Sequence, residues 1–202
     1  MIEVFKGHSI DPVRAQSGTV ATGYTIGDYA IDAPEGVVYP NSPLILLTHA
    51  HCDHICGLNN NNLPYACSEF SAKAITGPEE QATLCTHLGF PNPRRAPEQI
   101  LADGQILPGE GFEIEVIATP GHCEGALCFY VKSKKALFSG DTVFGSGALP
   151  SISLPTSNPE ALIGSYEKLA KLEIEKIYPG HGNPFPAKGY ISKLLPILED
   201  FI

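Results

Sequence analysis

Four short apolar runs in this chain each lead into a residue of metal-ligand type, and this pattern constrains the fold more than any other feature. Leu44-Ile45-Leu46-Leu47 leads through Thr48 into His49-Ala50-His51-Cys52-Asp53-His54. Phe112 to Ala118 is followed by Pro120-Gly121-His122, Ala136-Leu137-Phe138 by Ser139-Gly140-Asp141, and Ile174 to Tyr178 by Pro179-Gly180-His181. The ends of buried strands are rigid places from which a loop can present a side chain accurately. A chain of this kind is expected to gather its strand ends on one edge of a sheet core.

Short runs with β-branched residues, bounded by Gly, Pro or Asn, predict strands over Thr19 to Ile26, Tyr29 to Asp32, Leu44 to Thr48, Phe112 to Thr119, Leu127 to Lys132, Lys135 to Ser139 and Ile174 to Tyr178. Helices are predicted over Ser68 to Ile75, Pro78 to Leu88, Asn158 to Leu172 and Ala187 to Phe201. The third is the best defined: Asn158 suits the N-cap, Pro159 the first helical position, and Leu162, Tyr166 and Leu169 one apolar face. Pro196 falls inside the fourth, where it is expected to kink the helix. Strands occur in both halves with helices between and after them, which fits an α+β sheet core covered by helices. No linker of unusual composition divides the 202 residues, and a single domain over 1–202 is expected. The four consecutive residues Asn59 to Asn62, and Pro91 to Pro97, read as loops.

The balance of 13 Lys+Arg against 22 Asp+Glu leaves a formal charge of -9, the opposite of the basic face that nucleic acid requires. Arg94-Arg95 and Lys132-Ser133-Lys134-Lys135 are the basic clusters, and a solvated surface accounts for both. There is no apolar run of spanning length and no signal-peptide stretch at the N-terminus, so a cytoplasmic protein without membrane contact is expected. The cysteines Cys52, Cys56, Cys67, Cys85, Cys123 and Cys128 include no CxxC pair, and core packing accounts for them. Cys52, Cys56 and Cys123 lie beside proposed ligands, where a redox-sensitive role is the alternative.

Five of the seven histidines fall in the three His motifs. A lone His at a strand end is usually a hydrogen-bonded structural residue, and a lone Asp after Gly a turn residue. Five His and two Asp at four strand ends need another explanation, because buried imidazoles are costly to gather without a shared partner. His8 and His87 stand outside the pattern and carry no assigned role. In an extended segment residues i, i+2 and i+4 share a side. That spacing would put His49, His51 and Asp53 together and turn His54 elsewhere, so the motif could serve two adjacent ions. Imidazole and carboxylate donors suit divalent ions, zinc foremost, with iron or manganese as competitors.

The signature His-x-His-x-Asp-His, followed in order by His122, Asp141 and His181, resembles the metallo-β-lactamase superfamily. The resemblance extends to Thr119-Pro120-Gly121-His122, Phe138-Ser139-Gly140-Asp141-Thr142 and Tyr178-Pro179-Gly180-His181-Gly182, and to Ile31-Asp32 as the aspartate turn supporting the first ligand loop. It implies a four-layer αββα sandwich. Carried over, His49, His51 and His122 would bind one metal, Asp53, His54 and His181 a second, and Asp141 would bridge them. Asp141 stands where many true β-lactamases carry Cys, as in the glyoxalase II branch, which disfavours antibiotic hydrolysis. That branch follows its Gly-Asp-Thr with a Gly-Arg element, whereas this chain reads Phe144-Gly145-Ser146-Gly147-Ala148-Leu149-Pro150. With 21 residues after His181, a glutathione-binding helical domain is not expected, which disfavours glutathione thioesters as substrates.

The expected activity is metal-dependent hydrolysis of a small thioester, lactone or ester by a hydroxide held between two metal ions, with Asp53 also orienting that hydroxide and passing a proton to the leaving group. A mononuclear iron persulfide dioxygenase and a small-phosphodiester hydrolase are the competing readings. Diiron electron transfer is disfavoured, since that branch normally carries Glu where this chain has His51. The partner expected is a small-molecule substrate, chosen by the loops Gly145 to Asn158, Asn59 to Tyr65 and Asn183 to Tyr190. There, Phe144, Leu149, Ile152 and Leu154 form an apolar wall or simply pack, and Tyr190 offers a substrate-side hydroxyl or a structural one.

Overall fold

The computed structural model describes residues 1–8, 20–41, 43–77 and 80–202. Their contacts divide into two compact units. The first comprises Met1–Leu101 with Gly180–Gly182, and the second Ala102–Pro179 with Asn183–Ile202.

The first unit is built on a six-stranded sheet in sequential order: β1 (Ile2–Lys6), β2 (Thr22–Ile26), β3 (Tyr29–Ile31), β4 (Leu44–Leu46), β5 (Tyr65–Ser68) and β6 (Gln99–Leu101). The first two pairings are antiparallel and the last three parallel. Ala30, Ile45, Tyr65 and Cys67 project from one face into a core shared with α1 (Cys52–Ile55), through Cys52 and Ile55, and with α2 (Glu69–Thr76), through Ala72 and Ile75. Ser68 caps α2 by accepting a hydrogen bond from the Ser71 N–H at 3.2 Å.

The second unit also carries a six-stranded sheet, in the order β12-β11-β10-β9-β8-β7. Its strands are β7 (Ile106–Gly109), β8 (Phe112–Ala118), β9 (Leu127–Val131), β10 (Ala136–Gly140), β11 (Lys176–Pro179) and β12 (Phe185–Pro186). The β10–β11 pair is parallel and the others are antiparallel. Ile117, Cys128, Leu137 and Ile177 pack against α3 (Pro159–Ala170) and α4 (Tyr190–Phe201) through Leu162, Tyr166 and Leu169 of α3 and Ile191, Leu194 and Leu198 of α4. Burying each large apolar side chain contributes about 1.5–3 kcal/mol. Asn158 caps α3 as expected, its Oδ1 accepting from the Ala161 N–H at 3.0 Å.

The seven predicted strands appear with ends shifted by a few residues, and Thr19 lies outside the described residues. Two expectations need correction. The helix over Pro78 to Leu88 is absent: its described part holds only the 3-10 turns Glu80–Ala82 and Thr86–Leu88. Leu84 between them adopts φ 60°, a left-handed backbone that a continuous helix excludes. The extended reading of the first His motif also ends at Cys52, where α1 begins. No helix among the described residues is long and apolar enough to cross a membrane.

Candidate metal centre

Strand β4 delivers the first His motif. It lies between β3 and β5 in parallel register, Ile31 beside Leu46 and Leu46 beside Ala66, so Asp32 and the Leu47–His49 segment leave the sheet at the same end. Asp32 adopts φ 60° and is 1% exposed. A buried carboxylate requires donors, and this one receives the Thr48 N–H at 2.7 Å, the Thr48 hydroxyl at 2.8 Å and His54 Nδ1–H at 2.7 Å.

This network assigns the tautomers. A carboxylate only accepts, so His54 carries its proton on Nδ1 and turns the Nε2 lone pair away. The Thr48 hydroxyl gives its proton to Asp32, so its oxygen accepts from His49 Nδ1–H at 3.0 Å. Asp32 therefore fixes two imidazoles, one directly and one through Thr48. His49, His51 and His54 are all buried. The rings of His49 and His51 lie 4.6 Å apart, and those of His49 and His54 4.2 Å.

The turn of α1 decides where the rest of the motif goes. The Ala33 N–H donates to the His54 carbonyl at 2.7 Å, and the Gly57 N–H to the Ala33 carbonyl at 2.9 Å. A Cβ on Gly57 would meet the carbonyl oxygens of Pro34 and Ala33 at 2.5 and 2.7 Å, so the close approach that holds α1 needs glycine here. Helical rather than extended, the segment sends Asp53 and His54 to the same neighbour. His181 Nε2 lies 3.1 Å from Asp53 Oδ2, and its ring 5.3 Å from that of His54. One donor atom from each of Asp53, His54 and His181 falls within 4.8 Å of the other two. His181 reaches this unit because its segment pairs with the start of β2: the Thr22 N–H donates to the Gly180 carbonyl at 2.7 Å, and Ala21 and His181 form an antiparallel bridge.

In the second unit His122 and Asp141 come together, with His122 Nε2 3.6 Å from Asp141 Oδ2. His122 Nδ1–H donates to the Ser151 carbonyl at 2.9 Å, and the Ser157 hydroxyl donates to the His122 carbonyl at 2.7 Å. The carbonyl acceptor again fixes the tautomer and leaves Nε2 as the lone-pair nitrogen. Gly121 just before it has φ 148°, and a Cβ there would lie 2.5 Å from Leu162 Cβ. The ligand loop thus packs directly on α3.

The model of the metallo-beta-lactamase superfamily matches residues 43–181, a span that contains all seven proposed ligands. The chain belongs to this superfamily. Among curated superfamily relatives, it is 32% identical over 138 residues to an atrochrysone carboxyl ACP thioesterase of Aspergillus fumigatus, covering 68% of this chain and 38% of the relative. It is 34% identical over 136 residues to a hydroxyacylglutathione hydrolase of Enterobacter sp., covering 66% of this chain and 45% of that one. The chain thus spans less than half the length of either. Among solved structures, that of TTHA1623 in a di-iron-bound form matches with a TM-score of 0.71 at 26% identity, over 88% of this chain and 94% of that one. The α+β metallo-β-lactamase fold expected from the sequence is the one observed.

The donors fit a divalent ion. Buried imidazoles whose tautomers are fixed by a carboxylate or a carbonyl, with their other nitrogens gathered near carboxylates, form the donor set of a metal-binding superfamily site. The cysteines belong to the core. All six are buried, and hydrogen bonding with Cys56 and Cys85, with burial added, pushes the Cys52 thiol far up. Protonated and directed at other thiols, Cys52 packs the core between the candidate ligands His51 and Asp53. Leu149 and Ile152 also pack against the core of their unit. The Tyr190 hydroxyl is structural, accepting from the Gly147 N–H and donating to the Phe144 carbonyl, both at 2.8 Å. Sequence reasoning missed Ser151 and Ser157, which carry no motif. The loop Asn59 to Tyr65 follows α1, with Asn60 donating to the Glu35 carboxylate, and enters β5 at its N-terminal end.

Proposed function

We propose that this chain hydrolyses thioesters of small acyl groups, using two divalent ions held by His49, His51, Asp53, His54, His122, Asp141 and His181. His49, His51 and His122 would hold the first ion and Asp53, His54 and His181 the second, with the Asp141 carboxylate available to both. Zinc is the expected ion, with iron or manganese able to compete for the same nitrogen and oxygen donors. The observation that carries the reading is the buried relay in which Asp32 and Thr48 fix the tautomers of His49 and His54. A purely structural cluster has no need to aim several imidazole lone pairs. The thioesterase and hydroxyacylglutathione hydrolase relatives support a thioester as the substrate class.

When bound, the ions supply Lewis acidity and lower the pKa of a water molecule to about 7. The protein supplies orientation and proton transfer. Asp53, half-buried beside His181, aligns the attacking water at the substrate carbonyl and delivers a proton to the leaving thiolate. Asp32 keeps His49 and His54 in one tautomer throughout, so neither of these rings has to flip during turnover. Water adds to the acyl carbon, the C–S bond breaks, and a carboxylic acid and a thiol leave.

The test is a substrate panel on purified protein loaded separately with zinc, iron and manganese, with metal content measured alongside. Acyl-CoA thioesters should turn over faster than lactones and phosphodiesters, and chelation should abolish the activity. Oxygen uptake with a persulfide by a form holding one iron, without thioester cleavage, would establish the dioxygenase reading instead.

A further inference from the structure

Sheet topology places one more side chain at the ligand end of the first unit. β3 runs antiparallel to β2 and β2 antiparallel to β1, with Tyr24 beside Ile31 and Lys6 beside Thr22. Lys6, Thr22 and Asp32 therefore share one end of the sheet, although Lys6 lies far in sequence from every motif. Its ammonium donates to Thr22 Oγ1 at 2.7 Å and to the Gly182 carbonyl. The Thr22 hydroxyl also lies 3.4 Å from the Gly182 carbonyl. The Thr22 N–H holds the Gly180 carbonyl, and Ala21 bridges His181. His181 is thus gripped on both flanks, by backbone pairing before it and by the Lys6–Thr22 pair after it.

We propose that Lys6 is a positioning residue for His181 and so sets the affinity of the metal site formed by Asp53, His54 and His181. Gly180 and Gly182 make the backbone flanking His181 intrinsically permissive, so contacts from β1 and β2 have to supply the rigidity. A charge-assisted hydrogen bond to the Gly182 carbonyl is stronger than a neutral one. Its loss frees the His181 ring to leave Asp53 Oδ2, now 3.1 Å away. His49, His51 and His122 make none of these contacts, so the first ion keeps its affinity. The inference rests on the two-ion reading above.

Zinc titration against a chromogenic chelator tests it, with the wild type, Lys6→Met and Lys6→Arg each first stripped of metal. The wild type should take up two ions. Lys6→Met should keep the tighter one and bind the weaker about tenfold less tightly, the lower end for loss of a contact supporting a ligand. Lys6→Arg, which preserves charge and donors, should restore most of that loss. The melting temperature of metal-free Lys6→Met should stay within about 2 °C of wild type, as for an exposed substitution. If Lys6→Met fails to fold, Thr22→Val removes the hydroxyl acceptor instead and should weaken the same ion. Unchanged affinity for both ions in a folded Lys6→Met or Thr22→Val variant overturns the proposal, as does equal weakening of both. A wild type that takes up no zinc, iron or manganese overturns the two-ion reading itself.

Discussion

Asp32→Asn isolates the relay at the base of the metal centre. The substitution is nearly isosteric, and asparagine tolerates the φ of 60° at this position, so the backbone has no reason to move. The amide oxygen can replace Oδ1, which accepts from the Thr48 N–H at 2.7 Å. The NH2 group then replaces Oδ2, which lies 2.7 Å from His54 Nδ1. Two donors would face each other there unless His54 moves its proton to Nε2, which removes the lone pair that the metal needs. A hydrogen bond to a charged group is worth about 1.5–3 kcal/mol, and the neutral amide recovers part of it. The metal-free protein should therefore lose about 1–2 kcal/mol, a fall in melting temperature of about 5 °C for a domain of this size. Metal affinity should fall further, by about 10–100-fold. Thermal unfolding of the stripped protein and zinc titration of both forms separate the two effects. Wild-type zinc affinity in a folded Asp32→Asn protein would refute the tautomer argument.

Two other perturbations probe packing and protonation. Gly121→Ala should cost about 1–3 kcal/mol in a denaturant melt, because its Cβ would overlap Leu162 Cβ at 2.5 Å on a backbone at φ 148°. All six thiols should resist an aromatic disulfide reagent in the native protein at pH 8 and react once it is unfolded, since every one is buried. Burial pushes the Cys128 thiol from 9.0 up to about 11 and the Cys67 thiol to about 12. The folded state then holds these protons more tightly than the unfolded one. The resulting stability is intact below about pH 9 and is lost as pH rises through 11 to 12, which a series of melts across that range would show.

The amino-acid sequence by itself named the candidate ligands and much of the second sheet. Strands β8, β10 and β11 are readable because apolar runs lead into Pro-Gly or Ser-Gly, β9 because Leu127 to Val131 is an unbroken apolar run before Lys132, and α3 because Asn158, Pro159 and one apolar face agree. The superfamily was legible too, since the order of His49 through His181 is a pattern of residue types that needs no coordinates. Strands β1, β5, β6, β7 and β12 were not legible. They are two to five residues long, and their pairing partners define them. Only the tertiary structure decided that Cys52–Ile55 turns as a helix, because a four-residue segment has no period of its own and is held by Ala33 and Gly57. The grip of Lys6 and Thr22 on the His181 loop, and of Ser151 and Ser157 on His122, likewise belonged to the tertiary structure alone. Those contacts join residues distant in sequence through backbone carbonyls, which every residue carries and no motif can mark.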